Sequence, residues 1–459
     1  MPVGIETTKQ EEKMKKFLVV LLSLGLIAAF GMTASAADMK VGGSYYVVGA
    51  YEDNPTLKED SYSRAYIHQR IRIQPVFKIA EGLTFTARMD AMEKQWGDST
   101  WRRNAVGGDD TTSSRRTTDA SNKKIQQNFE WERGYVTFMT GIGRFQVGYQ
   151  AVDTWGTVFG DSGTTRPRFQ YLIQTGPMTF LFNYEKVYEA DMNIAATANK
   201  VDADNDSYAL AGFFKQGPVE AGLLYKYYDF KATRVAGGKA AFHLLSPYVK
   251  ATFGPVFIES EVDYFFGKGF KSEIPGVADV KVNGWGAYIH AKVNLGPAWV
   301  GAQVGYSSGD DYADTNKSKT NPGGAGTDWN PALILLNDEI TGWTNARASS
   351  GRGYPQTSQK FNVIIYNVYA GFKPMPKLEV GAALTYMTAA DRHLNATTEA
   401  ISKKLGTEFD VTATYKIYDN LSYMVGAGYL WTGDYFKGAS ATATVDNDYM
   451  LMNKLSLSF

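Results

Sequence analysis

The chain has 459 residues, 47 Lys plus Arg against 47 Asp plus Glu, and no cysteine. Zero net charge leaves no basic footprint for nucleic acid, and the lack of thiols excludes disulfides, a Cys-x-x-Cys-His haem attachment and thiolate metal sites. With 29 tyrosines, 25 phenylalanines and 46 glycines but only 44% apolar residues, the composition fits strands and turns in which alternate residues are apolar.

Residues 1–13 look like no targeting element, and Met14 is the more natural start, so they are read as a misassigned upstream extension. Lys15 and Lys16 precede a 14-residue apolar run, Phe17 to Phe30, and a small-residue cleavage site follows at Ala34-Ser35-Ala36 or Ser35-Ala36-Ala37. That pattern predicts a signal peptide over 14–36 and export through the Sec pathway. A membrane anchor needs about 20 residues, so the run is too short for one. Residues 37–459 remain as one unit.

From Met39 onward, alternating runs are separated by two kinds of connection. Gly176-Pro177, Gly217-Pro218, Gly254-Pro255 and Gly296-Pro297 are tight reversals, as are Ala80-Glu81-Gly82, Gly141-Ile142-Gly143, Pro374-Met375-Pro376 and Asp419-Asn420. Long polar connections lie near 52–62, 94–126, 152–166, 189–206, 231–241, 267–281, 308–359, 389–405 and 433–446. About eight turns and nine loops predict about eighteen strands. Short turns on one side and long loops on the other is the asymmetry of an all-β, antiparallel up-and-down transmembrane barrel, its turns periplasmic and its loops extracellular.

In the second run, Ile67, Ile71, Ile73 and Phe77 alternate with His68, Arg70, Arg72 and Gln74, and in the third Arg88 and Asp90 oppose Phe85 and Met89. Arg144 opposes Phe145, and Arg168 opposes Phe169. Charges facing hydrocarbon would cost about 2–4 kcal/mol each, so these point into the lumen. Later runs carry the other sign: Glu259, Glu261 and Asp263 oppose Ile258 and Val262, and Glu408 and Asp410 oppose Phe409 and Val411. The expectation is a basic wall across the pore from an acidic one, with a transverse field that sets selectivity.

Asp153-Thr154-Trp155-Gly156-Thr157-Val158-Phe159-Gly160-Asp161 forms the third long loop. Trp155 and Phe159 are costly to expose on a tip, so the loop is expected to fold inward. Residues 308–359 make the longest loop, with one short helix expected over Ala332–Leu336. Asp202, Asp204 and Asp206 offer oxygen ligands for a hard cation but lack EF-hand spacing, so a solvated acidic loop is the plainer reading. Four histidines without metal spacing, no Ser-centred elbow and no phosphate loop leave no enzyme and no cofactor to propose.

The final run alternates Tyr449, Leu451, Leu455, Leu457 and Phe459 with Met450, Met452, Lys454, Ser456 and Ser458. This tail resembles the C-terminal signature of Gram-negative outer-membrane proteins, whose last Phe is read by the barrel-assembly machinery. Gly143-Arg144-Phe145-Gln146-Val147-Gly148-Tyr149-Gln150 resembles the stretch leading into the constriction loop of general porins. That resemblance implies a third loop placing Asp153 and Asp161 at an eyelet opposite Arg70, Arg72, Arg88 and Arg144. As a whole the chain resembles outer-membrane porins, which implies passive diffusion of small hydrophilic solutes and ions through the outer membrane, and a trimer if it follows the general porins. Those have sixteen strands, so sixteen remains possible. A substrate-specific channel and a sheath around a partner such as a multihaem cytochrome are the alternatives.

Overall fold

The computed structural model describes residues 38–59, 62–96, 129–190, 202–337 and 360–459. The upstream extension and signal peptide expected at 1–13 and 14–36 lie outside the described residues. Eighteen long strands form the wall. The first six are β1 (Asp38–Glu52), β2 (Arg64–Ala80), β3 (Leu83–Gln95), β4 (Phe129–Thr140), β5 (Gly143–Ala151) and β6 (Thr165–Thr175). Next come β7 (Met178–Tyr188), β8 (Asn205–Gln216), β9 (Val219–Phe230), β10 (Gly238–Phe253), β11 (Val256–Ser272) and β12 (Val280–Leu295). The last six are β13 (Ala298–Ser307), β14 (Val363–Met375), β15 (Leu378–Ala389), β16 (Lys404–Tyr418), β17 (Leu421–Thr432) and β18 (Asp448–Ser458).

Each strand pairs antiparallel with its neighbours in the chain, and β18 closes on β1 with Ser44 opposite Ser458 and Tyr51 opposite Leu451. Gly43 and Phe459 exchange both backbone hydrogen bonds at the seam, 2.8 and 3.1 Å. No edge is left to solvate, which is what a sheet in hydrocarbon requires.

The wall is inverted relative to a soluble protein. On β14, Val368 is 52% exposed while Asn367 beside it is 3% exposed; on β8, Leu210 is 59% exposed and Ser207 is 0%. Apolar residues cover the outside and polar ones the inside, so the exterior is a lipid-facing belt and a shared sandwich core is ruled out. Aromatics edge the belt at both ends. Near the short turns Phe145 stacks on Phe138 and Tyr171 at 5.2 and 4.8 Å, and near the loops Trp285 stacks on Tyr264 at 4.1 Å.

The eight predicted tight turns are all two residues long. In the four Gly-Pro turns the glycine has φ of +56°, +57°, +58° and +67°. A glycine at the first central position gives a turn whose twist matches the flanking strands. Two boundaries move by several residues: 238–241, read as loop, lies within β10, and 267–272 lies within β11. In β11, Gly267 (φ +119°) and a register shift after Lys268 absorb a bulge, so the ladder continues.

Candidate functional site

Among the described residues, two loops reach across the lumen. Loop 3, residues 152–164, joins β5 to β6 and crosses the lumen to the wall of β10–β12. Its Trp155 indole N–H donates to the Ser246 carbonyl at 3.0 Å, and the ring meets Tyr248 edge-on at 5.2 Å. The Thr157 backbone N–H and hydroxyl both donate to Glu261, at 2.5 and 2.6 Å. Phe159, fully buried, stacks on Tyr288 at 5.4 Å and meets Trp329 at 5.4 Å. Close approach to Glu261 depends on glycine: a Cβ on Gly160 would lie 2.2 Å from Glu261 Oε1.

Loop 7, residues 308–362, joins β13 to β14; residues 312–316 are exposed and 317–318 pair with the loop end of β12, while 321–337 lie inside. Trp329 donates through Nε1 to Gln303 at 2.8 Å, seated over Gly305, where a Cβ would lie 2.1 Å from the indole. The expected helix over Ala332–Leu336 is absent; the segment is a run of bends. Its backbone N–H groups are taken by the wall instead, Ile334 and Leu335 donating to Glu408 at 2.5 and 2.9 Å and Leu333 to Asp410 at 3.3 Å. Three bonds from loop N–H groups to two buried carboxyl groups outcompete the internal bonds of a one-turn helix. Ile334, Leu335 and Leu336 then pack with Val48, Leu430 and Met450 in an apolar cluster inside the barrel.

The loops are joined to each other. Gly326 N–H donates to the Phe159 carbonyl at 2.6 Å, Asp328 N–H to the Asp161 carbonyl at 3.2 Å, and the Thr327 hydroxyl to the Ser162 carbonyl at 3.1 Å. Together they form one plug against β10–β17.

The predicted inward charges are placed as follows. Arg72 holds Asp90 with two bonds, 2.7 and 2.6 Å; Arg70 lies 3.2 Å from Glu93 and 3.8 Å from Asp90. Arg88 is 3.4 Å from Glu132, and Arg168 is 3.7 Å from Glu185. The basic set is therefore interleaved with carboxylates from adjacent strands rather than segregated. The register that puts Arg72 opposite Asp90 lies between strands, where alternation within one strand carries no information. Arg144 is exposed beside the short turn after β4. It is eight residues from the start of loop 3, about 26 Å along a strand at ~3.3 Å per residue. Glu259 binds His290 at 3.0 Å, Glu261 holds loop 3, and Asp263 is buried on the same inner face.

Asp153 and Asp161 do not face the four arginines expected. Asp153 pairs with Arg166 at 3.0 Å and Lys226 at 3.4 Å. Burial pushes its carboxyl up, but Lys226 and Arg166 outweigh that and hold it below the usual carboxylate range. Asp161 lies beside Asp328 and accepts the Gly163 N–H at 3.0 Å; burial first, then the Asp328 charge, pushes its carboxyl up. The loop runs to the opposite wall from β2 and β3, whose arginines already have partners. The acidic stretch 202–206 is occupied by lysines, Lys231 on Asp202 at 2.9 Å and Lys186 on Asp204 and Asp206, and among the described residues no cluster fits a metal ion.

Lys226, Glu185 and Arg166, central to this geometry, escape the alternation argument. Leu223 and Leu224 precede Lys226 as apolar residues on both faces, so β9 shows no clean period. These side chains line a cavity of about 580 Å³ between loop 3 and the wall of β6–β11.

No family model matches the chain, and no curated protein matches it. Solved structures do. OccK8 (OprE) of Pseudomonas aeruginosa superposes with a TM-score of 0.51 at 11% identity, over 92% of this chain and 98% of that one. The outer membrane channel DcaP of Acinetobacter baumannii gives 0.44 at 14%, over 93% and 99%. An anion-selective porin from Comamonas acidovorans gives 0.44 at 11%, over 92% and 100%. At these identities the likeness concerns the fold.

Proposed function

We propose, on the premise that this is an outer-membrane β-barrel of porin fold, that the chain forms a water-filled channel for passive diffusion of small polar solutes and ions. The observation that carries this reading is the inverted wall: a closed barrel, apolar outside, whose inner face holds charged side chains around a plug made of its own loops. Arg70, Arg72, Arg88 and Arg168 with their carboxylate partners supply the wall of the passage, and Asp153, Trp155, Phe159 and Asp161 on loop 3 supply its narrowing. Such a wall gives ions a polar path at no cost in lipid contact. A trimer, implied by the porin resemblance, belongs to the proposal and is checked by the mass of the folded protein in detergent.

A sheath around an electron-carrying partner is the less supported reading, because loops 3 and 7 occupy the volume that a partner polypeptide would need. Reconstitution into planar bilayers under a KCl gradient tests the choice. Discrete ohmic steps are expected; a folded, inserted barrel that passes no current would overturn the channel.

A further inference from the structure

The inner face of β8–β12 breaks the rule that a barrel lumen is polar. Phe242 and Phe265 point inward, 8% and 4% exposed, with Tyr228 stacked on Phe242 at 4.6 Å and Phe230 edge-on to it at 5.9 Å. These rings line the 580 Å³ cavity together with Trp155 of loop 3, which packs against them, and Gly323 of loop 7, which lies against Phe265. The rings are largely packed among themselves and against Trp155, and leave an apolar edge on the cavity.

Next to the rings is a charge cluster with an imbalance. Arg166, Arg168 and Lys226 meet Asp153 and Glu185 through contacts of 2.8–3.7 Å, three cations to two carboxylates among the described residues. Lys226 Nζ also lies 5.1 Å from the Tyr228 ring, joining the two halves. Arg166 is the most open of the three cations, its side chain 29% exposed. The other carboxylates of the cavity are already engaged or covered. Glu261 is 1% exposed beneath Thr157, Asp263 is 7% exposed, and Glu220 is held by Tyr248 at 3.0 Å and Lys215 at 2.8 Å with Lys250 opposite it in the ladder.

We propose that this cavity is a binding subsite for amphipathic organic monoanions, carboxylates with a ring or short alkyl body. The apolar body lies against Phe242 and Phe265, and the carboxylate takes a free edge of the Arg166 guanidinium. The proposal deepens the channel reading and rests on it for the route by which the solute arrives.

The test uses acetate, butyrate, hexanoate and benzoate as blockers of the KCl current in bilayers at pH 8, where all are ionised. Saturable block is expected, with the half-blocking concentration falling roughly three- to fourfold per added methylene, and with benzoate binding more tightly than acetate. Phe242→Ser should flatten the series, whereas Arg166→Gln should weaken every member alike. A flat series in the native protein, or an unchanged series in Phe242→Ser, would overturn the subsite while leaving the channel intact. If no current flows, the channel fails by itself, and calorimetric titration of benzoate and acetate into the detergent-folded barrel still decides. Equal affinities there would reject the subsite.

Discussion

At the scale of single residues, Gly160 decides whether loop 3 can reach the wall. A methyl group there would sit 2.2 Å from the carboxylate that holds Thr157, so Gly160→Ala must move the loop or lose that bond. Overpacking of this kind costs about 1–3 kcal/mol; we expect a lower melting temperature and a larger, noisier single-channel conductance, and native values for both would mean the loop does not seat there. Arg70 and Arg72 were legible as inward residues from strict alternation with Ile71 and Ile73, but their partners were not, because register between strands leaves no mark in one strand. The pairing sharpens the prediction: Arg72→Ala leaves Asp90 without its bidentate partner, so the reversal potential should shift toward cations and thermal stability should fall. A shift toward anions would contradict the geometry. Asp161 gives a pH test. Its carboxyl is raised by burial and by Asp328, so it takes up a proton above the usual aspartate value of about 3.9. Asp153, held low by Lys226 and Arg166, stays ionised in that window. Cation preference should therefore drop as pH falls through a step above the ordinary carboxylate range, and Asp161→Asn should remove the step; a step that survives the substitution assigns it elsewhere.

At the scale of elements, the strands were readable and the loops only in part. Eight short turns and the period of two on each strand face are local features, so counting them recovers the eighteen strands. Loop 3 was readable as inward because Trp155 and Phe159 need a wall to pack on. Loop 7 was not: Ala332–Leu336 has the propensity of a helix, and what overrides it are carboxylates on β16, more than seventy residues away in sequence. The contact between the loops, also nonlocal, can be trapped. With no native cysteine to interfere, the pair Ser162→Cys and Thr327→Cys should oxidise to a disulfide, since Thr327 meets the Ser162 hydroxyl and carbonyl at 3.4 and 3.1 Å. A faster-migrating oxidised band that reverts on reduction is the expected result. Two thiols that remain fully reactive under mild oxidation would place the loops apart.

At the scale of the molecule, closure of β18 on β1 turns eighteen marginal strands into a surface with no edge, leaving the interior as the only polar volume. The two loops then divide that interior. The plug fills the side of β10–β17, where Glu261, Glu408 and Asp410 each accept loop backbone N–H groups, and the arginine-bearing strands β2–β6 line the other side. Acidic wall residues that in isolation suggested a field across the pore are thus taken up in holding the plug, and the arginines of the opposite wall are interleaved with carboxylates of their own. On this geometry current passes through the barrel and is limited by loop 3. The most direct measurement is single-channel conductance in KCl of the native protein beside a variant lacking Trp155 to Gly163. Discrete openings are expected from both, with the deletion conducting at least about half as much again, in line with a widened polar path. Identical conductance in the two proteins would contradict this and place the limiting passage elsewhere in the barrel.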